Sequence, residues 1–190
     1  MNKIIKRFLL GMTLPCLCAM GIPHKWDSGK FKREKNEPLK FGKDGKFKIL
    51  HITDIHDVEP EMDDDENREI PESCDIETLN VIEKLLVKTS PDLVVFGGDN
   101  VSGYWEEFNY DLIYKTITKI VEPIKRRNIP LALVFGNHDD DGGRMSKEDQ
   151  MKVYEEYSCF IGFDEGEEIY GVGTYNVPVF SSTDDNDIVF

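Results

Sequence analysis

Three short apolar runs, each closed by a polar cluster and followed by a helical pattern, constrain the fold of this chain more than any other feature. Ile49-Leu50-His51-Ile52-Thr53 runs into Asp54-Ile55-His56. Leu93-Val94-Val95-Phe96 runs into Gly97-Gly98-Asp99-Asn100, and Leu131-Ala132-Leu133-Val134-Phe135 into Gly136-Asn137-His138-Asp139. Short apolar runs rich in β-branched residues, alternating with helices, read as buried parallel strands of an α/β fold. Open α/β sheets bind ligands at the carboxyl ends of such strands. The polar clusters therefore stand where this architecture builds sites.

The spacing predicts the helices between and after the strands. Ile76, Leu79, Ile82 and Leu86 lie near helical spacing, with Ser73 or Asp75 as cap. A longer helix over residues 109–127 carries the stripe Ile113, Ile117, Ile120 and Ile124, and Pro123 kinks or ends it. Ser146 caps a third helix with Met151, Tyr154 and Tyr157 on one face. Residues 174–180 read as a strand that Pro178 places at an edge or end, and residues 188–190 as the start of another. Upstream, residues 41–47 predict a tight hairpin with Asp44-Gly45 in the turn.

The N-terminus reads as a targeting segment. Lys3, Lys6 and Arg7 precede an apolar stretch at 8–19 that is too short to span a bilayer. The expected organisation is a signal peptide at 1–21, a linker at 22–40 and one domain at 41–190. Export to a periplasm or medium follows if the leader functions; otherwise the chain is cytoplasmic. Cys16 and Cys18 fall in the leader, which leaves Cys74 and Cys159 as one disulfide or two buried thiols. Without a C-x-x-C pair, a thiolate zinc site is not supported. The formal charge of −14, from 23 basic against 37 acidic residues, argues against a nucleic-acid partner. It does not exclude phosphate substrates, because bound metal ions invert the local charge.

The clusters offer metal chemistry. Asp54 and His56 are two residues apart, so in an extended segment they point the same way and can grip one ion. Asp99 arrives from the neighbouring strand after two glycines, and its two oxygens can bridge two ions. Asn137 offers a neutral amide oxygen, and His138 can act as a proton donor or as a cation beside a phosphoryl oxygen. Two metals ~3.5–4 Å apart suit in-line attack on phosphorus.

The set Asp54-x-His56, Gly98-Asp99-Asn100 and Gly136-Asn137-His138-Asp139 resembles the calcineurin-like metallophosphoesterase superfamily, most closely its purple-acid-phosphatase-like branch. The resemblance implies a four-layer α/β sandwich, two mixed sheets flanked by helices. It implies a phosphate monoesterase using a metal-bridging hydroxide, with a small phosphorylated substrate or a phosphoprotein as partner. Asp54 and His56 would hold the first of two divalent or mixed-valence ions (manganese, iron or zinc), Asp99 would bridge, and Asn137 would hold the second. His138 would protonate the leaving oxygen. The sequence departs from true purple acid phosphatases at Ser102, where they place a tyrosine, and at His56, where they place glycine. The family also uses downstream histidines, whereas the four here are His24, His51, His56 and His138. The expectation is an N-terminal portion, cut within a strand at Phe190 and inactive alone.

Plainer readings stand beside these. His51 reads as a hydrogen-bonded core residue, and residues 57–75 as a solvated acidic loop. Asp57 either orients His56 or is exposed. Asn100 either contacts substrate or shapes a turn. Asp139, directly after His138, is the best residue of its acidic run to brace the site. Tyr104 and Trp105 pack against the long helix or border a cleft. A calcium loop at 137–148 fits Asn137, Asp139, Asp141, Gly142 and Glu148, but a strand pattern precedes it where a helix is required. Two further alternatives keep the fold: a phosphodiesterase or nucleotide-sugar hydrolase, and a metal-free interaction scaffold.

Overall fold

A computed structural model describes residues 38–57, 72–102, 109–164, 166 and 169–183, with side chains in the first helix from Ile76 onward. The leader, nearly all of the linker, most of the acidic stretch, Tyr104, Trp105 and the strand expected at 188–190 lie outside the described residues.

Two parallel sheets organise the described residues. In the larger, β3 (Leu93–Phe96) lies between β2 (Ile49–Ile52) and β4 (Leu131–Leu133). Ile49 aligns with Leu93, and Leu131 with Val94. Parallel neighbours need a crossover connection. Helix α1 (Glu72–Thr89) lies in the first crossover and α2 (Tyr110–Lys125) in the second, while α3 (Lys147–Glu155) follows β4. The smaller sheet pairs β1 (Leu39–Lys40) with β5 (Val179–Phe180), also in parallel. Among the described residues no helix is long and apolar enough to cross a membrane.

The apolar periods explain the packing. Helix α2 buries Leu112, Ile113, Ile117, Ile120, Val121 and Ile124 against Val94, Phe96, Leu131 and Leu133. Each fully buried aliphatic side chain contributes roughly 1.5–3 kcal/mol. Asn109 caps this helix by accepting the Leu112 N–H at 3.0 Å. Pro123 lies inside its last turn and the helix continues past it to Lys125, with Arg127 donating to the Pro123 carbonyl at 2.8 Å. Helix α1 is anchored more narrowly, with Ile82 and Leu86 buried and Ile76, Val81 and Val87 exposed. It already runs from Glu72, so Ser73 and Asp75 lie inside it rather than at its cap. Ser146 caps α3, accepting the Asp149 N–H at 3.2 Å, and Met151, Tyr154 and Tyr157 are buried as expected.

Other local expectations are corrected. The turn at 42–46 forms, with Gly42 N–H on the Lys46 carbonyl at 2.8 Å, but its arms do not make a two-stranded hairpin. β1 pairs with β5 instead. His51 is exposed rather than a core residue: it lies on the face of β2 whose residues, Ile49 and His51, are turned to solvent. Asp57 is buried rather than part of a solvated loop, and Lys119 of α2 meets its carboxylate at 3.0 Å. Cys159 is a buried free thiol whose pKa burial pushes up to about 11, and the side chain of Cys74 lies outside the described residues.

The two outer strands differ in how their far edges are met. Leu131 of β4 donates its N–H to the Cys159 carbonyl and accepts from Ile161 N–H, both at 2.8 Å. The Tyr175 hydroxyl accepts the Leu133 N–H and donates to the Leu133 carbonyl, each at 2.6 Å. One phenol thus does what a neighbouring strand would do for that residue. Burial pushes its pKa up to about 12, which keeps the donor proton in place.

Candidate metal centre

Backbone pairing between β2 and β3 continues beyond the strands and builds the floor of the site. Gly97 N–H bonds to the Ile52 carbonyl at 2.7 Å, Asp54 N–H to Gly98 at 3.0 Å, and His56 N–H to Asp99 at 2.9 Å. Asp57 N–H then meets the Asn100 carbonyl at 3.2 Å, and Ser102 N–H the Asp57 carbonyl at 3.1 Å. Within this pairing, Asp54 (φ 54°), His56 (φ 47°) and Asp99 (φ 50°) are left-handed. The other described non-glycine residues with positive φ, Ser90 and Asn128, follow helices, where that conformation is a common cap. The remaining three are the candidate ligands, and such conformations gather at functional sites.

This geometry corrects the reason given for the convergence of Asp54 and His56. They meet because both backbones are left-handed, not because an extended segment projects them together. One ligand atom each from Asp54, His56 and Asp99 lies within 4.8 Å of the others. His56 Nε2 is 3.9 Å from both Asp54 Oδ1 and Asp99 Oδ2. The Asp54 side chain is 63% exposed and that of Asp99 13%, so the cluster opens to solvent on the Asp54 side. Two carboxylates and an imidazole fit manganese, iron or zinc.

The β4 loop closes over Asp99. A Cβ on Gly98 would stand 2.8 Å from Gly136 N, and one on Gly136 would stand 2.0 Å from Asp99 Oδ1. Only two glycines allow this approach. His138 N–H then donates to Asp99 Oδ1 at 2.8 Å. The His138 and His56 rings lie 5.4 Å apart, centroid to centroid. Asn137 is exposed on the same loop, between Gly136 and His138.

Asp139 fastens the loops together. Its carboxylate accepts the N–H groups of Asp99 (2.9 Å), Asn100 (2.7 Å), Val101 (3.1 Å) and Gly136 (2.6 Å). Burial raises its pKa, and these four bonds oppose that rise. Asn100 is also fully buried, and its amide donates to the Val134 carbonyl at 3.2 Å. Neither side chain is exposed to substrate; both brace the loops. The calcium-loop alternative fails here, since β4 precedes it and both Asp139 oxygens are committed to backbone N–H groups.

Three contributors escaped the sequence reading. Asp141 pairs with His138 Nδ1, and this bond is the main reason the His138 pKa is raised. Gln150, fully buried on α3, donates to the carbonyls of Asp139 and Met145. Lys119 reaches Asp57 beside His56. Asp141 had a signal, its position three residues after His138, but the acidic run disguised it. A lysine on an amphipathic helix gives none.

A family model described as calcineurin-like phosphoesterase matches residues 47–189. The chain is 33% identical over 117 residues to "Probable inactive purple acid phosphatase 14" of Arabidopsis thaliana, covering 60% of this chain and 28% of that protein. It is 31% identical over 147 residues to "Phosphatase DCR2" of Saccharomyces cerevisiae, covering 74% and 25% respectively. "Probable inactive purple acid phosphatase 29" of Arabidopsis thaliana is 27% identical over 184 residues, 93% of this chain and 44% of that protein. The chain thus spans less than half the length of these relatives. No solved structure matches it.

Proposed function

The chain belongs to the calcineurin-like phosphoesterase family, and from that premise we propose that it hydrolyses phosphate monoesters at a dinuclear metal site. The observation that carries this reading is the meeting of Asp54, His56 and Asp99 at the ends of two adjacent parallel strands. Asp54, His56 and Asp99 would hold one ion, and Asn137 with Asp99 would hold a second. When bound, manganese, iron or zinc supplies positive charge for the phosphoryl oxygens.

The chain's own residues supply the rest. His138, beside His56, gives a proton to the leaving oxygen. Asp139 and Asn100 hold the loops so that these groups do not drift. The exposed Asp54 side leaves room for a small phosphorylated molecule or a phosphoprotein. The intact cluster favours an enzyme over a metal-free scaffold. We also propose export, on the strength of the basic and apolar N-terminus.

The test uses the full-length protein loaded with manganese. Metal content by mass spectrometry should show bound ions, and p-nitrophenyl phosphate should be hydrolysed. Asp99→Asn should lose metal and lower turnover more than about 100-fold. A wild-type protein that takes up no divalent ion overturns the reading.

A further inference from the structure

We propose that Asp141 is a positioning residue that accepts a hydrogen bond from Nδ1–H of His138, leaving Nε2 as the nitrogen that delivers a proton to the departing oxygen of a phosphoester. The inference rests on the phosphoesterase reading above and adds a residue to it.

An ionised carboxylate can only accept a hydrogen bond. Asp141 Oδ2 lies against His138 Nδ1. The hydrogen between them therefore belongs to Nδ1, and the neutral ring carries its lone pair at Nε2. The backbone holds the two residues together. His138 N–H is fixed to Asp99 Oδ1 at 2.8 Å, and Asp141 N–H meets the His138 carbonyl at 3.3 Å. The one-turn 3₁₀ segment Asp141–Gly143 places left-handed Gly142 (φ 73°) directly after Asp141.

Among three consecutive acids, only this one is available for the role. Asp139 is fully buried with its oxygens on backbone N–H groups. Asp140 pairs with Lys147 at 3.1 Å. The imidazole that Asp141 orients stands next to the candidate metal cluster, 5.4 Å from the His56 ring. In hydrolysis, a water oxygen forms the new bond to phosphorus. The bond from phosphorus to the alcohol oxygen breaks, and its electron pair stays on that oxygen. The Nε2 proton of the imidazolium passes to the alcohol oxygen, water releases a proton to solvent, and solvent reprotonates Nε2. The other hydrogen stays on Nδ1, hydrogen-bonded to Asp141 throughout.

Two readouts on the full-length protein test this. The first is the ¹⁵N–¹H ring spectrum of the metal-free protein, with His138→Gln identifying the signal. The wild type should show His138 as the Nδ1–H tautomer, and Asp141→Ala should shift it toward Nε2–H. An Nε2–H tautomer in the wild type overturns the proposal. The second compares two esters in the manganese-loaded protein. Asp141→Asn, which preserves shape, should lower kcat about 10–100-fold for an alkyl phosphate, whose leaving group needs a proton. It should lower kcat less than about threefold for 2,4-dinitrophenyl phosphate, with KM little changed for both. Equal losses on the two esters, or none, overturn it. If the wild type hydrolyses neither ester, the phosphoesterase reading fails together with the proton route, while the ring spectrum still decides the pairing.

Discussion

β2 and β4 flank the same central strand, yet they meet opposite demands. β4 is buried throughout, and its far edge is occupied by residues 159–161 and the Tyr175 hydroxyl. β2 alternates between exposed and half-buried residues, and among the described residues no strand pairs its far edge. The loop after β4 is held by a buried carboxylate, whereas the loop after β2 presents Asp54 to solvent. One side of the site is thus built for rigidity and the other for access.

The contrast predicts an ordered set of effects. Asp139→Ala should be the most damaging change, because four backbone N–H groups lose their acceptor. We expect a loss of at least about 3 kcal/mol in urea unfolding. Lys119→Met is the exception that would break the comparison, since it is the one β2-side change expected to cost much. It removes the ammonium beside buried Asp57, with an expected loss of about 2–3 kcal/mol by thermal unfolding. A loss below about 0.5 kcal/mol would mean that the β2 side carries no comparable anchor. Tyr175→Phe leaves both backbone groups of Leu133 without their partner, at about 1–2 kcal/mol. It should also speed amide exchange at Leu133. Asp54→Ala should lie within about 0.5 kcal/mol of wild type in stability while lowering manganese uptake. If it unfolds the protein instead, the division between a rigid and an accessible side is wrong.

The parallel strands, the adjacency of β2 and β3 at the site and the helix stripes were legible because burial imposes a period on the sequence. Asp54, His56 and Asp99 were legible for the same reason: polar residues at the ends of buried strands have few purposes. The left-handed backbones of these three residues were not, since nothing in Asp-x-His signals φ > 0. His51 was misread because an apolar run does not reveal whether both faces of its strand will be covered, and in β2 one face is not. Asp57 and Asp141 were hidden within acidic runs. Their partners, Lys119 and His138, are fixed by tertiary placement and by a one-turn bend, and neither leaves a periodic trace.

The Asp139 carboxylate has a consequence for the order in which the molecule assembles. The N–H groups it accepts from the β3 loop lie 38 to 40 residues earlier in the chain. Contacts of that span cost more loop-closure entropy than local ones, so we expect them to form late, with the docking of the intervening helix. On that expectation the candidate metal centre matures only with the core around it. A nascent chain that collapses early would carry Asp54, His56 and Asp99 without the geometry to use them, so capture of a metal ion would come as a late event that reports the completed fold.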